Sequence, residues 1–186
     1  METRTKEILD FLGNTHTKVE AKEDFNGNYY SYITDTIYIS KNYENRKAPK
    51  NINKVAASFI VVCHECIHSM QSRLLHVQNI ILSNLSIILF CISLFLSVFE
   101  IVPLWIKIIT FFVTLTSIVI RVILELGAIN GSITLANSVV SKNIFSDISK
   151  QDIEEGSRYI ARYKWIALLE MNLYKIICLI LILIIK

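Results

Sequence analysis

The N-terminal stretch of the chain has no apolar run of the kind that forms the centre of a secretory signal peptide. Residues 1–14, METRTKEILDFLGN, mix charged and apolar side chains throughout. We therefore expect no cleaved signal peptide, so any membrane insertion must come from internal segments. The chain also has no basic stripe interleaved with aromatic residues, and its formal net charge is only +3. This excludes the usual signature of nucleic-acid binding, and we predict no nucleic-acid partner.

Charged residues are absent from Val77–Phe99. In the next apolar stretch, 104–124, the two charged residues are Lys107 and Arg121. Both lie near the ends of the stretch, where a long side chain can reach the membrane surface. Each stretch has the length of about 20 residues that is needed to cross a bilayer. Together they predict a two-span membrane hairpin over 77–124, with the lipid bilayer as a partner of the chain.

The rest of the composition is unevenly divided. The chain is 53% hydrophobic, above the value of about 45–50% that is usual for soluble domains, yet residues 1–54 are polar and charged. Residues 125–164 are polar again and are expected to be helical. The third apolar stretch, Trp165–Ile185, contains Glu170 and Lys175. The sequence therefore leaves open whether this stretch spans the bilayer or enters only one leaflet.

Short periodic patterns predict a small α+β part near the N-terminus. Residues 3–12 have the spacing of an amphipathic helix, and Gly13 follows them as a terminator. Thr36–Ser40, with the sequence TIYIS, alternates with the period of a β-strand inside a strand-forming stretch at 16–40. A small sheet is therefore expected before the chain enters the membrane.

The most informative pattern is H-E-x-x-H, which begins at His64. A helix is predicted from Lys54 to Leu75, and it places His64 and His68 at i and i+4. Both imidazoles then project from one face and can bind one zinc ion. Glu65 lies beside them and can act as general base toward a water molecule. The motif therefore indicates zinc-assisted hydrolysis of an amide bond, with no organic cofactor.

A catalytic zinc site takes a third protein ligand. Glu125 is the strongest candidate because it lies where the second span ends, and the hairpin returns it close to the start of the first span. Alternatively, Glu125 is an interfacial carboxylate paired with Arg121 at i−4. The other candidate ligands on the same side of the membrane are His76, Asp147, Glu154 and Glu155.

The four cysteines carry no prediction of a disulfide or a metal ligand. Cys63 and Cys66 form a C-x-x-C around the motif, but on a helix Cys66 points about 160° away from His68. We interpret both as inert helix positions in a reducing compartment. Cys91 and Cys178 lie in apolar runs and are expected to be small buried hydrophobic residues.

The sequence VAASFIVVCHECIHSMQ, from Val55 to Gln71, resembles the metal helix of the bacterial membrane neutral zinc metallopeptidases. In that family an Ala- and Val-rich run leads into H-E-x-G-H, then a small residue, an apolar residue and Gln. A strand precedes the helix, and a two-span hairpin follows it. Next comes a ligand Glu with Ala three residues later, which the sequence ELGA beginning at Glu125 matches.

The resemblance covers most of the chain, from about Phe25 to the C-terminus, and three departures stand out. The family has Gly where Ile67 stands and often Asp where Gly127 stands. It also opens with a membrane helix that has no counterpart here. A second group, the membrane proteases that resemble heat-shock quality-control and prenyl-protein peptidases, has a related arrangement and is the closest alternative with the same chemistry.

The resemblance implies a membrane-embedded zinc metallopeptidase that hydrolyses peptide or protein substrates. It implies that Zn²⁺ is held by His64, His68 and Glu125, with Glu65 as general base and a substrate extended along Thr36–Ser40 as an edge strand. The candidates for the oxyanion stabiliser are Tyr29, Tyr30, Tyr32 and His76. A catalytically inactive zinc-binding scaffold or partner protein is the alternative from another class. Cleavage inside the lipid ranks last, because the apolar run before the motif is too short to span.

These observations predict a mainly α-helical membrane protein with a small N-terminal α+β zincin-like part, an H-E-x-x-H helix, a membrane hairpin and a C-terminal apolar helix. The predicted segments are an aqueous part at 1–54, the metal helix at 55–76, the hairpin at 77–124 and a ligand-bearing helical segment with the last membrane helix at 125–186. Basic residues flank the hairpin on the side of the motif, so the positive-inside rule predicts a site facing the cytoplasm from a bacterial cell membrane. The sequence makes no prediction of oligomeric state.

Overall fold

The computed structural model describes residues 1–23, 27–40, 54–99, 101–142, 145 and 148–184. Within these residues the chain is mostly helical, with five α-helices and one three-stranded sheet. The helices are α1 (Glu2–Phe11), α2 (Lys54–Met70), α3 (Arg73–Ser97), α4 (Leu104–Ser141) and α5 (Lys150–Ile184), and the strands are β1 (Lys18–Lys22), β2 (Tyr29–Ser31) and β3 (Thr36–Ser40). The predicted N-terminal helix and the predicted strand at 36–40 are confirmed.

β3 is the central strand of the sheet, which corrects the expectation that it forms an edge. β1 pairs with it in parallel, from Lys18 opposite Thr36 to Lys22 opposite Ser40, and β2 pairs antiparallel on its other side. Both sides of β3 therefore already have strand partners, and a substrate peptide cannot add to it. Strand order depends on contacts between distant residues, and the alternation within TIYIS contains no information about it.

The chain divides into two compact units, each with its own interior. The sheet unit comprises Met1–Gln71 and Leu126–Lys164. Its core is apolar, and the ring of Phe59 packs edge-on against Phe145 with 5.4 Å between centroids. The other core residues include Ile8, Leu9, Ile37, Ile39, Ile60, Val62, Leu135, Ala136, Val139 and Ile153. Burial of these side chains supplies the driving force that an amphipathic helix and a small sheet lack alone.

Two glycines in the sheet unit allow helices to pack closely against α2. A β-carbon at Gly131 of α4 would lie 3.0, 3.1 and 3.2 Å from three side-chain carbons of Ile67. A β-carbon at Gly156 of α5 would lie 2.7 Å from Cδ1 of Ile60. Only hydrogen fits at these two positions without a shift of the neighbouring side chain.

The span unit comprises Ser72–Glu125 and Trp165–Lys186. The three helices that contribute to it, α3, α4 and α5, are long and apolar enough to cross a membrane. Its exposed surface is rich in large hydrophobic residues such as Leu94, Phe112 and Leu173. Its buried polar residues are Ser86, Ser93, Thr110, Thr114, Ser117, Asn172 and Lys175.

Small hydroxyl side chains join the first two spans to each other. Ser93 and Thr110 are 3.3 Å apart, and Ser83 and Ser117 are 3.0 Å apart. Serine and threonine allow membrane helices to approach closely and to hydrogen-bond across their interface. Cys91, which we expected to be buried, is instead exposed on α3, and this expectation was wrong. An apolar run in a helix that is apolar on all sides does not distinguish the face that packs from the face that stays exposed.

The helix boundaries differ from the predicted ones in an instructive way. The helix that carries the motif ends at Met70 rather than near Leu75, and Ser72 adopts a non-helical conformation (φ −57°, ψ 119°) that begins α3. Helix α4 is continuous over 38 residues, a length of about 57 Å, so it extends well beyond a bilayer of about 30 Å. Polar composition after residue 125 therefore does not mark a break in the helix.

Candidate metal centre

The two histidines of the motif converge as the helical spacing predicts. Helix α2 holds His64 and His68 one turn apart, with their rings nearly perpendicular at 89° and their centroids 4.5 Å apart. Their Nε2 atoms lie 3.0 Å from each other. Two nitrogen ligands of one tetrahedral zinc ion, each at 2.0–2.1 Å, stand roughly 3.4 Å apart. A shift of a few tenths of an ångström would fit both imidazoles to one ion.

Glu125 joins the two histidines to form a three-residue group. One ligand atom from each residue lies within 4.8 Å of the others. His64 and Glu125 are half-buried, and His68 is buried. In the part of the chain that the structure describes, this is the one group of histidine, cysteine and acidic residues arranged so that it could hold a metal ion. Two imidazoles and a carboxylate suit a first-row divalent metal such as zinc, but the set alone does not identify the metal.

The alternative third ligands do not belong to this group. Glu154 is exposed, and Glu155 accepts a hydrogen bond of 3.2 Å from Gln151 within α5. His76 lies in the first turn of α3 and is also outside the three-residue group. Asp147 lies outside the described residues. Among the described candidates, only Glu125 is brought to the histidines.

Glu65 is held by the sheet. It is only 8% exposed, and its Oε2 accepts a hydrogen bond of 2.8 Å from the backbone N–H of Tyr30 in β2. A carboxylate that accepts a bond from a backbone amide is fixed in direction, because that donor cannot rotate away. The edge strand β2 therefore fixes the direction of the carboxylate of Glu65, the acidic residue of the H-E-x-x-H motif.

A chain of polar contacts joins the tail of α2 to the strand that holds Glu65. Ser69 accepts from Asn14 Nδ2 at 3.1 Å, and the same nitrogen donates to Thr17 Oγ1 at 2.9 Å. Asp35, which has a φ of +48°, accepts from the Thr17 hydroxyl at 2.8 Å and from the Tyr30 hydroxyl at 3.0 Å. Since the Tyr30 hydroxyl is directed to Asp35, its role here is to brace the strand, which weakens its candidacy as an oxyanion donor.

Gln71 is a residue of the site that the sequence analysis did not single out for a role. Its Oε1 lies 2.8 Å from Nδ1 of His68. When Nδ1 donates this bond, Nε2 of His68 is the nitrogen left to face a metal, so Gln71 selects the ring orientation and tautomer. Gly127 leaves room for this arrangement, because a β-carbon there would lie 3.0 Å from Gln71 Nε2. The only signal in the sequence was a glutamine three residues after the second histidine.

Cys63 and Cys66 belong to the core and not to the site. Both are fully buried, and neither forms a disulfide. Burial raises the pKa of the Cys63 thiol well above its ordinary value, with a smaller contribution from Cys66. Burial also raises the pKa of the Cys66 thiol, with the Glu65 carboxylate adding to the effect. The thiolate that metal binding or redox chemistry requires is therefore disfavoured at both positions.

Comparison with known proteins adds no relative. No family model, no curated protein sequence and no solved structure is significantly similar to this chain. The interpretation of the site therefore depends on the geometry of its residues.

Proposed function

We propose that this chain is a membrane-embedded, zinc-dependent metallopeptidase with a zincin-like sheet unit, of the kind that its H-E-x-x-H helix resembles. The observation that carries the proposal is the convergence of His64, His68 and Glu125, with ligand atoms within 4.8 Å of one another. Three protein ligands leave a coordination position for water, which is the composition of catalytic rather than structural zinc sites. When bound, zinc would polarise the attacking water and the scissile carbonyl.

Glu65 is the general base in this proposal. It takes a proton from the attacking water and later delivers that proton to the leaving amine. Glu65 directly follows His64 on α2, and its carboxylate is directed to the N–H of Tyr30. Glu65 is not one of the three residues of the metal group, and this hydrogen bond fixes the direction of its carboxylate, so Glu65 is left to act as the base in this proposal.

We assign substrate binding to the edge strand β2 and not to β3. Because the N–H of Tyr30 donates to Glu65, an extended peptide that lies along this edge would have its backbone beside the base. A photoreactive residue placed at Tyr29 should crosslink to a bound peptide. The same residue placed at Glu20, in the other edge strand, should not. Crosslinking from Glu20 but not from Tyr29 would indicate that the substrate binds along β1 instead.

A metal-binding membrane scaffold without catalysis is the second candidate. The burial of Glu65 and its bond to Tyr30 favour it, because together they leave little of the carboxylate open to an attacking water. The two candidates share the metal site and differ only in whether Glu65 acts on a substrate.

A single conservative change tests the peptidase proposal. The full chain, its Glu65→Gln variant and the matched control Glu154→Gln are purified in detergent, and zinc content and hydrolysis of a fluorogenic protein substrate are measured. Glutamine keeps the shape of Glu65, so we expect one zinc ion per chain in all three. Hydrolysis should fall by roughly 10²–10⁴ in Glu65→Gln alone.

Each other outcome has a definite meaning. If Glu65→Gln cleaves at the rate of the parent, Glu65 is not the base. If the parent binds zinc but cleaves no substrate offered, the scaffold candidate replaces the peptidase. If His64→Ala binds as much zinc as the parent, the three-residue group is not the metal site, and both candidates fail.

We also infer that the site faces the cytoplasm of a bacterial cell, because basic residues flank the hairpin on that side. Single cysteines at Asn14, Val102 and Ser141 test this with a reagent that cannot cross the membrane. We expect Val102 to react in intact cells and the other two to be protected. Labelling of Ser141 from outside would contradict the inferred orientation.

A further inference from the structure

The span unit contains a fully buried ammonium group. Lys175 of α5 has no exposed surface. Its Nζ donates to Ser117 Oγ at 2.6 Å and to Ser83 Oγ at 2.8 Å, and the two serine oxygens are 3.0 Å apart. A lysine, a serine from α3 and a serine from α4 thus meet inside the three spans. Ionisable residues in such a position are rare and mark binding sites or ion pathways more often than structural contacts.

The groups around Lys175 contain more hydrogen-bond donors than acceptors. An ammonium group has three N–H donors, and the structure gives Lys175 two hydrogen bonds, both to hydroxyls. The hydroxyl groups of Ser83 and Ser117 can form one hydrogen bond with each other, which uses one of their two hydroxyl hydrogens. One N–H and one O–H then lack an acceptor among the described residues.

Thr114 adds a further donor on the same face of α4. It lies one turn before Ser117, is 1% exposed, and its Oγ1 has no hydrogen-bond partner among the described residues. Residues three apart on a helix share a face. Ammonium, serine and threonine donors are therefore grouped in one buried region. The unpaired Oδ1 of Asn172, three residues before Lys175 on α5, is one acceptor against these donors, so donors remain in excess, in agreement with the chemistry that recognises an anion.

The charge balance leads to the same conclusion. No described carboxylate pairs with Lys175, and Arg121, one turn after Ser117 on α4, adds a second positive charge in the span unit. An uncompensated ammonium group inside a membrane-spanning segment is strongly disfavoured unless a counter-charge binds or the proton leaves.

We propose that Lys175, Ser83, Ser117 and Thr114, here called the Lys175 cluster, bind one small inorganic anion of the size of chloride. The small size follows from burial: Lys175 and Ser117 are 0% exposed and Thr114 is 1% exposed, which excludes a lipid headgroup or a peptide carboxylate. The proposal is independent of the peptidase activity, because none of these residues belongs to the metal centre.

Halide-dependent stability tests the proposal. The full chain is purified in detergent in sodium gluconate, and the thermal midpoint is measured as chloride or bromide replaces gluconate at constant ionic strength. Binding to the folded state alone should raise the midpoint saturably, by an amount on the order of 5 °C. Gluconate, which is too large for the cluster, should give no such rise.

Matched variants locate the effect. Lys175→Met keeps the length of the side chain without its charge and should abolish the halide-dependent rise, whereas Lys164→Met on the same helix should retain it. Thr114→Val should weaken halide binding several-fold, whereas Thr116→Val, at an exposed position two residues later, should not. His64→Ala should keep the full rise, which would separate this site from halide binding at the metal centre.

Two results would overturn the proposal. One is a midpoint for the parent that is the same in chloride and in gluconate, which would mean that water satisfies the cluster, bridging Lys175 to the unpaired Oδ1 of Asn172. The other is a halide effect that persists in Lys175→Met. If Lys175→Met does not fold, broadening of the ³⁵Cl resonance by the parent, and its reduction in Thr114→Val but not in Thr116→Val, decides the same question.

Discussion

The sheet unit buries mainly apolar side chains, whereas the buried side chains of the span unit are mainly polar. In the sheet unit Phe59 and Ile60 are fully buried. In the span unit Ser117 and Lys175 are fully buried, while Phe112 is 60% exposed. The same helix, α4, serves both units, so helix propensity does not explain the difference.

The comparison shows that the surroundings decide which face of a helix turns inward. In water, burial of apolar surface drives packing, so the sheet unit has an apolar interior. In lipid that force between helices is absent, and small polar residues gather at the helix contacts because they permit close approach and hydrogen bonding. The four predictions that follow test this comparison.

Removal of an aromatic ring should give the largest difference in stability loss between the two units. Phe59→Ala should destabilise the sheet unit by about 3–5 kcal/mol, because it leaves a cavity beside Phe145. Phe112→Ala, on the exposed face of α4, should change stability by less than about 1 kcal/mol. Thermal unfolding in detergent, followed by limited proteolysis to report which unit opens, measures both. Equal losses would mean that Phe112 also packs inside a folded interior.

Among the hydrogen bonds of the sheet unit, the one between Gln71 and His68 at the metal centre should have the largest effect when it is removed. Gln71→Ala removes the acceptor for Nδ1 of His68 and should weaken metal binding roughly 10–100-fold. Gln71→Glu keeps an acceptor and should lose less, and Gln78→Ala on the exposed face of α3 should lose nothing. Competition with a chromophoric chelator gives the dissociation constants. A Gln71→Ala protein with the affinity of the parent would remove Gln71 from the site.

Tight packing in the sheet unit can be tested by adding a single methyl group. Alanine for glycine inside a helix normally stabilises it by about 1 kcal/mol. Gly131→Ala should instead destabilise by about 1–2 kcal/mol, because the new β-carbon meets Ile67 at 3.0–3.2 Å. In an Ile67→Ala background the same change should become neutral or stabilising. A double-mutant cycle with no coupling would show that α2 and α4 can relax apart.

The smallest effect is expected from the hydroxyl contacts of the span unit. Ser93→Ala should cost about 0.6 kcal/mol and at most about 1.7, although both Ser93 and its partner Thr110 are buried. Thr116→Val, at an exposed position, is the control and should have no measurable effect. A loss above 3 kcal/mol for Ser93→Ala would mean that hydrogen bonds, and not close packing, hold the spans together.

Local patterns predicted the parts of this molecule that depend on neighbours in the sequence. Alternation in TIYIS gave the strand at Thr36–Ser40, and i, i+4 spacing gave the convergence of His64 and His68. The proximity of Glu125 to them followed from hairpin geometry and is present in the structure. Its role as a zinc ligand stays a prediction.

What could not be predicted depends on contacts between distant segments. The central position of β3 is set by β1 and β2 together. Lys175 was recognised only as an interruption of an apolar run, because its partners Ser83 and Ser117 lie on two other helices. The role of Gln71 depended on a helix end at Met70 that composition does not mark.

The contact between Ile67 and Gly131 restricts the order in which the sequence can change. While glycine occupies 67, as in the family that the motif resembles, residue 131 is free to carry a side chain. Once isoleucine stands at 67, a β-carbon at 131 would lie 3.0–3.2 Å from it. Loss of the side chain at 131 before, or together with, the gain of isoleucine at 67 is therefore the path of lower cost, and regaining a side chain at 131 is disfavoured while isoleucine remains. Relatives of this chain should vary at these two positions together, and a search that requires glycine within the H-E-x-x-H motif would miss those that carry the glycine on the facing helix.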